Sequence, residues 1–236
     1  MKLLFISPIF FDYEKKIKKI LESQYSNVIF KSEVPFNSTF IYYALKRINK
    51  LVAHFFLKRY NHQLLELIQQ EKIDRIFIIR GFGLNEEFFR NLRSMGRDIH
   101  IFHYQWDSLS IVPNGEMISR YADDNYSFDL KDTISNIQFK HLPLFYTENK
   151  PKEGAVFKKN IQEIDLLFIG SYHSSRNEIA AKAQVACEKD GLKFKSHIYM
   201  PFFSYLRNIL TTNDVNFKDI SFKKVTYPKY QKMLDH

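Results

Sequence analysis

The chain has 236 residues, of which 45% are hydrophobic and 26% are charged, a balance that excludes an intrinsically disordered protein and allows one large or two small domains. Its formal net charge of +9 favours partners that carry phosphate, although most basic residues recur at the spacing of a solvated helix face. Cys187 is the only cysteine, which excludes an intramolecular disulfide and a cysteine-based metal site and is consistent with a reducing cytoplasm.

The first part of the chain alternates between predicted strands and predicted helices. Apolar runs that do not alternate with polar residues predict strands that are buried on both faces. These strands lie at 2–7, 27–31, 73–80, 99–104, 125–128 and 137–140. Helical spacing predicts the helices between them, including a long one that Asn37 or Ser38 caps and that bends near Tyr60–Asn61. This alternation predicts an open, doubly wound parallel sheet, which binds ligands at the carboxyl ends of its strands.

The loops that follow these strands contain one group of candidate site residues. They are Ser7, Arg80, Gly81, Trp106, Asp107 and Asp129. The carboxylate of Asp107 could accept a proton from a sugar hydroxyl, and the ring of Trp106 could stack on a sugar. The alternatives are that Asp107 caps a turn and Trp106 packs within the protein. Asp129 poses the same choice, with capping of a helix near Lys131 as its alternative.

A linker with little periodicity occupies 143–159, after which the alternation resumes. Strands are predicted at 164–169, 193–197 and 220–225, and helices at 177–189 and 199–210. We therefore predict two Rossmann-like units, 1–145 and 160–236. Because the second has only three predicted strands and ends within a helical pattern, we expect it to be incomplete.

The loop after the first strand of the second unit contains the other group of candidates. Gly170 and Ser171 stand between a strand and a helix, where backbone N–H groups and the helix dipole can hold a phosphate. Arg176 could add a charged hydrogen bond, and His173 lies in the same loop. The alternative is an ordinary strand-to-helix turn, because neither glycine-rich phosphate-binding pattern is present in the sequence.

Three segments together carry a resemblance to a known family. They are Phe-His-Tyr-Gln-Trp-Asp-Ser at 102–108, Tyr-Ser-Phe-Asp-Leu-Lys-Asp at 126–132 with Leu-Pro-Leu-Phe-Tyr at 142–146, and Leu-Leu-Phe-Ile-Gly-Ser-Tyr at 166–172 with Arg176. These segments resemble the bacterial glycosyltransferases similar to the spore-protein CgeB-like group. That family acts in the synthesis of lipopolysaccharide, capsule or exopolysaccharide.

The resemblance implies a GT-B fold, in which two Rossmann-like domains face each other across a cleft. The first domain would bind the acceptor, a glycan or a lipid-linked glycan. The second would bind a nucleotide-sugar donor, with Gly170 and Ser171 in its first loop. The implied reaction is hexosyl transfer without a metal or other cofactor, which agrees with the absence of an Asp-x-Asp pattern from the sequence. In this family a later segment carries a glutamate-bearing donor motif, beyond the position where this chain ends.

Two other classes of protein stay open. The runner-up is a degenerate transferase-like module that binds a sugar or an enzyme partner without catalysing transfer. A response-regulator-like signalling domain is disfavoured, because Ser7 and Pro8 follow the first strand where such domains have an acidic pair.

Charge on the predicted long helix bears on the partner and the location. The sequence contains no pattern typical of nucleic-acid binding. One helix face carries Lys46, Arg47, Lys50 and Lys58. We therefore expect a cytoplasmic protein with peripheral contact at the inner face of the membrane.

Overall fold

A computed structural model describes residues 1–37, 39–145, 164–172, 176–200, 220, 221, 223 and 225 of the chain. The chain divides into two compact units, Met1–Asn149 and Lys150–His236. Each unit has its own parallel sheet. Among the described residues, no helix is both long enough and apolar enough to cross a membrane.

The first unit is built on six parallel strands in the order β2-β1-β3-β4-β5-β6. The strands are β1 (Lys2–Ser7), β2 (Asn27–Ser32), β3 (Arg75–Ile79), β4 (His100–Gln105), β5 (Asp124–Ser127) and β6 (Phe139–His141). The helices are α1 (Tyr13–Leu21), α2 (Thr39–Ile48), α3 (Lys50–Gln70), α4 (Glu86–Ser94), α5 (Asn114–Ser119) and α6 (Leu130–Ser135), and a 3-10 turn occupies Pro35–Asn37. Every strand predicted in this unit is present, with small differences in its bounds.

The apolar strands place core on both faces of this sheet. Leu4 and Ile6 of β1 belong to one buried cluster with residues of α3 and α4, such as Phe89. Leu3 and Phe5 belong to a second cluster, which residues of α1 cover. Because neighbouring side chains of a strand point to opposite faces, β1 needs an apolar residue at each of these positions.

The long helix predicted from residue 37 or 38 is broken at Asn49, whereas α3 continues without a break through Tyr60. Asn49 has an extended backbone, and its side-chain oxygen accepts hydrogen bonds from the backbone N–H of Leu51 at 3.0 Å and of Val52 at 3.1 Å. An asparagine in this arrangement caps a new helix. Because the apolar spacing continues from α2 into α3, the sequence pattern gives no sign of the cap at Asn49.

The strand order indicates where a sheet of this type binds a ligand. All six strands are parallel, so their carboxyl ends lie at the same edge. β1 lies between β2 and β3, which means that the chain leaves β1 toward one side and later returns on the other. Sheets of this type bind ligands where the strand order reverses in this way. We call the residues that follow β1 to β5 the first edge.

The second unit contains β7 (Leu166–Ser171), α7 (Arg176–Lys189), β8 (Phe194–Tyr199) and β9 (Ile220–Ser221). These strands of the described part are parallel in the order β7-β8-β9. The sequence predicts a buried β7, but most of its side chains are half-buried. α7 packs against β7 and β8. The helix predicted at 199–210 lies outside the described residues, apart from Tyr199, which ends β8, and Met200. We call the residues around the end of β7 the second edge.

Candidate functional site

Side chains from three strand ends meet at the first edge. β1, β2, β3 and β4 end nearly level with one another in the parallel register. Glu33 follows β2, Arg80 follows β3 and Asp107 lies just beyond β4. Their side chains form one continuous row of alternating charge.

Glu33 and Arg80 form a two-pronged ion pair across the end of β1. Nε of Arg80 lies 3.1 Å from Oε2 of Glu33, and Nη2 contacts Oε1. The backbone N–H of Phe82 donates to the same Oε2 at 2.9 Å. The Glu33 side chain is fully buried, and that of Arg80 is 19% exposed. Burial alone would lower the pKa of Arg80, but the hydrogen bonds and charges of Glu33 and Asp107 outweigh burial and raise it.

Asp107 extends this ion pair toward solvent. Its Oδ2 lies 3.3 Å from Nη1 of Arg80, and its side chain is 37% exposed. It is therefore the most accessible of the three charged side chains. A carboxylate that a guanidinium holds on one side, and that is open on the other, can accept a proton from a bound hydroxyl. The structure thus brings together two residues, Arg80 and Asp107, that the sequence indicated separately.

Sequence reasoning missed Glu33, although a signal was present. The sequence predicts candidate residues in the loops after β1, β3, β4 and β5, but none in the loop after β2. An acidic residue that directly follows a parallel strand, as Glu33 follows Ser32, is a candidate on the same grounds as Asp107.

The backbone that presents Arg80 is strained. Arg80 has a φ of +64°, and Gly81 follows with a φ of +73°. This left-handed region is unfavourable by about 1–2 kcal/mol for a residue other than glycine. Gln105 Nε2 donates to the carbonyl of Arg80 at 3.1 Å, and Asn114 Nδ2 donates to that of Gly81 at 2.9 Å. A Cβ at Gly81 would lie 2.6 Å from Cδ1 of Ile118, so only glycine fits there.

A buried polar network supports this turn. Nδ1 of His103 lies 3.0 Å from Oδ1 of Asn125, and its Nε2 lies 3.1 Å from Nε2 of Gln105. Because the asparagine oxygen accepts and the glutamine nitrogen donates, the neutral ring carries its proton on Nδ1. Burial lowers the pKa of His103 from 6.5 to about 4, which keeps the ring neutral at pH 7.

Two of the predicted site residues, Ser7 and Trp106, make side-chain contacts within the first unit. Ser7 is fully buried, and its hydroxyl donates to the carbonyl of Pro8 at 3.0 Å. The ring centroid of Trp106 lies 6.2 Å from that of Phe10 and 6.4 Å from that of Phe145. The packing proposed as the alternative for Trp106 is therefore present, and contact with a sugar stays a prediction.

Asp129 caps α6, which is the alternative that the sequence offered for it. Its Oδ1 accepts a hydrogen bond from the backbone N–H of Lys131 at 2.9 Å. This bond, followed by one from Ser108, lowers the pKa of Asp129. A direct role of Asp129 at the first edge stays a prediction.

Asp132 is a buried carboxylate that the sequence did not single out. Its two oxygens lie 3.3 and 3.2 Å from the backbone N of Leu109, and the hydroxyl of Ser127 donates to one of them at 2.6 Å. Leu109 lies two residues after Asp107. Asp132 therefore anchors the loop that carries Asp107.

The second edge brings Gly170 and Arg176 together. A Cβ built on Gly170 would lie 3.7 Å from Nη1 of Arg176 and 3.5 Å from Cε1 of Phe168, so the guanidinium borders the space that a side chain would fill. Arg176 is exposed, and within the described ranges no ion pair involves it. A guanidinium can form charge-assisted hydrogen bonds with an anion. Ser171 ends β7 and is exposed, whereas His173 lies outside the described residues.

The fold has counterparts among solved structures. The chain matches S. aureus MnaA in a co-structure with UDP, with a TM-score of 0.54 and 11% identity, over 98% of this chain and 71% of that one. It matches MurG of Acinetobacter baumannii with a TM-score of 0.50 and 11% identity, over 93% of this chain and 67% of that one. No family model matches the sequence, and no curated protein matches it.

These neighbours define the class of fold. They are GT-B proteins, so the expected α/β, GT-B-like fold is confirmed. At this level of identity the likeness shows the fold alone, because one fold supports many activities. The resemblance to the CgeB-like group and the assignment of an acceptor and a donor domain stay predictions.

Proposed function

We propose that the chain is a glycosyltransferase of hexosyltransferase type that moves a sugar from a nucleotide-sugar donor to a growing bacterial surface glycan. The second edge would bind the donor diphosphate, and the first edge would bind the acceptor, a glycan or a lipid-linked glycan. The proposed mechanism uses no metal or other cofactor. The observation that carries the proposal is the position of Arg176 beside Gly170 at the carboxyl end of β7, in a GT-B-like fold.

The second edge suits a diphosphate for two physical reasons. Gly170 has no side chain, so an anion can approach the backbone at the end of β7. Arg176 stands at the first residue of α7, where the helix dipole and its own charge both favour an anion. These groups would stabilise the charge that develops on the departing diphosphate. The MnaA neighbour is a co-structure with UDP, which supports a nucleoside diphosphate as the ligand to test first.

The first edge supplies a carboxylate that could act as the base. Asp107 would take the proton of the acceptor hydroxyl while that oxygen bonds to the anomeric carbon of the donor sugar. The bond from that carbon to the diphosphate breaks, and its electron pair leaves with the diphosphate. Arg80 and the buried Glu33 would orient Asp107 throughout.

A transfer assay tests this role of Asp107. The purified chain would be incubated with UDP-, GDP- and CDP-sugars and a bacterial glycolipid extract, and the released nucleoside diphosphate measured. We expect Asp107→Asn to slow release by at least about 100-fold, the usual effect of losing a general base. The matched control is Asp98→Asn, an exposed carboxylate at the amino end of β4. Equal rates for the two variants would contradict the role of Asp107.

A degenerate binding module is the second candidate. Asp107 is paired with Arg80, and the ring of Trp106 contacts those of Phe10 and Phe145. Side chains that are already paired within the protein favour this candidate. This candidate predicts that the chain binds a nucleotide sugar but releases no nucleoside diphosphate from any donor.

A further inference from the structure

The corner between α2 and α3 exposes large apolar side chains. Ile48 is 83% exposed, Leu51 82% and Phe55 60%. Leu51 and Phe55 are four residues apart in α3 and therefore lie on the same face of that helix. Farther along, α3 buries other apolar residues, such as Leu64 and Ile68, against the first sheet. Only the start of this helix therefore presents an apolar face to solvent.

The same corner is strongly basic. Residues 34–65 contain five Lys or Arg and no Asp or Glu. All five cations are exposed, and three of them, Lys46, Arg47 and Lys50, surround Ile48 in the sequence. Within the part of the chain that the structure describes, none of the three forms an ion pair. Lys58 is paired with Glu87 at 3.2 Å and is left out of this group.

We propose that this corner, Lys46, Arg47, Ile48, Lys50, Leu51 and Phe55, docks on an anionic lipid surface. The apolar tips would enter the boundary between headgroups and acyl chains, and the three cations would contact the lipid phosphates. The apolar and basic side chains together favour a lipid surface over nucleic acid as the partner. A purely electrostatic partner such as nucleic acid would use the cations but would leave Ile48 and Leu51 in water. The proposal goes beyond the proposed function, since it needs neither a donor nor an acceptor sugar.

Vesicle co-sedimentation of the full chain tests the proposal. We expect binding to vesicles of phosphatidylcholine and phosphatidylglycerol in equal parts, weak binding to phosphatidylcholine alone, and loss of binding as salt rises. The double variant Ile48→Ser and Leu51→Ser keeps every charge, and we expect it to bind the mixed vesicles at least about tenfold more weakly. Replacing Lys46, Arg47 and Lys50 by Gln should have an effect of similar size.

The matched control is Ile137→Ser, which removes a 97% exposed apolar side chain elsewhere in the first unit. It should bind like the wild type. Phe55→Trp provides a second readout, because indole emission should shift to the blue when mixed vesicles are added. Equal binding by the double variant and the control would overturn the proposal, since it would show attraction by charge alone. Absence of binding to mixed vesicles at low salt would overturn it as well. Neither result depends on sugar transfer.

Discussion

The two sheet edges present charge in opposite ways. At the first edge, Glu33, Arg80 and Asp107 are bonded to one another, and the innermost carboxylate is fully buried. At the second edge, Arg176 is exposed and borders a glycine. A buried ion pair holds its two side chains in one geometry, but the two charges largely neutralise each other. An exposed cation can pair with a ligand, but its side chain is held less firmly. The first edge is therefore suited to orienting one carboxylate, and the second to receiving an anion.

The largest expected effect comes from removing the buried charge at the first edge. Glu33→Gln leaves the Arg80 guanidinium without its two-pronged partner in a site that is 19% exposed. We expect the free energy of unfolding to fall by about 3–5 kcal/mol, the usual result of breaking a buried ion pair on one side. Chemical denaturation monitored by circular dichroism would measure it.

An exposed ion pair provides the control for Glu33. Glu86 pairs with Arg90 at 3.0 Å, and both side chains are largely exposed. Glu86→Gln should lower the free energy of unfolding far less than Glu33→Gln does, because solvent screens an exposed pair. If the two variants lose the same amount, the first edge is not the fixed ion pair described above.

The next effect concerns the network beneath Arg80 and its dependence on pH. The pKa of His103 is about 4 in the folded chain and 6.5 ordinarily, so between these values the unfolded chain binds the extra proton. The contribution of His103 to stability is therefore complete above pH 6.5 and is lost as the pH falls toward 4. The total loss is about 3 kcal/mol.

Replacing His103 separates its contribution to the pH dependence of stability from that of the other groups. Denaturation midpoints of wild type and His103→Gln, compared between pH 7 and pH 4, should show a shallower loss of stability in the variant. The control His141→Gln changes an exposed ring of β6 and should keep the wild-type dependence. A His103→Gln profile parallel to that of the wild type would show that this ring is not buried in its neutral form.

Much of the first unit could be predicted from the sequence, because strands buried on both faces leave a plain signal. The run from Lys2 to Ser7 forms β1 with the predicted bounds. Because parallel sheets bind ligands at the carboxyl ends of their strands, the sequence indicated Arg80 and Asp107 separately. It could not show that they contact each other, since that depends on the level ends of β3 and β4 and on the left-handed backbone of Arg80.

Other features were hidden because one sequence pattern is compatible with more than one structure. The helix break at Asn49 is a capping event inside continuous apolar spacing. Trp106 and Asp129 have residue types that suit a sugar site equally well as packing or capping, and only the structure shows the rings and the N–H that they contact. At the second edge, the sequence indicated both Gly170 and Arg176, because they are six residues apart between a predicted strand and a predicted helix.

Calorimetric titration with UDP, GDP and CDP tests most directly whether the second edge receives a diphosphate. We expect one of them to bind the wild type, and Arg176→Ala to weaken that binding by about 1.5–3 kcal/mol, the contribution of a charge-assisted hydrogen bond. Gly170→Val should weaken it too, because its side chain would fill the space beside the guanidinium. Lys189→Ala, which removes a cation from the other end of α7, should bind like the wild type. Equal affinity in all four proteins, with unchanged melting temperatures, would show that the second edge is only a turn.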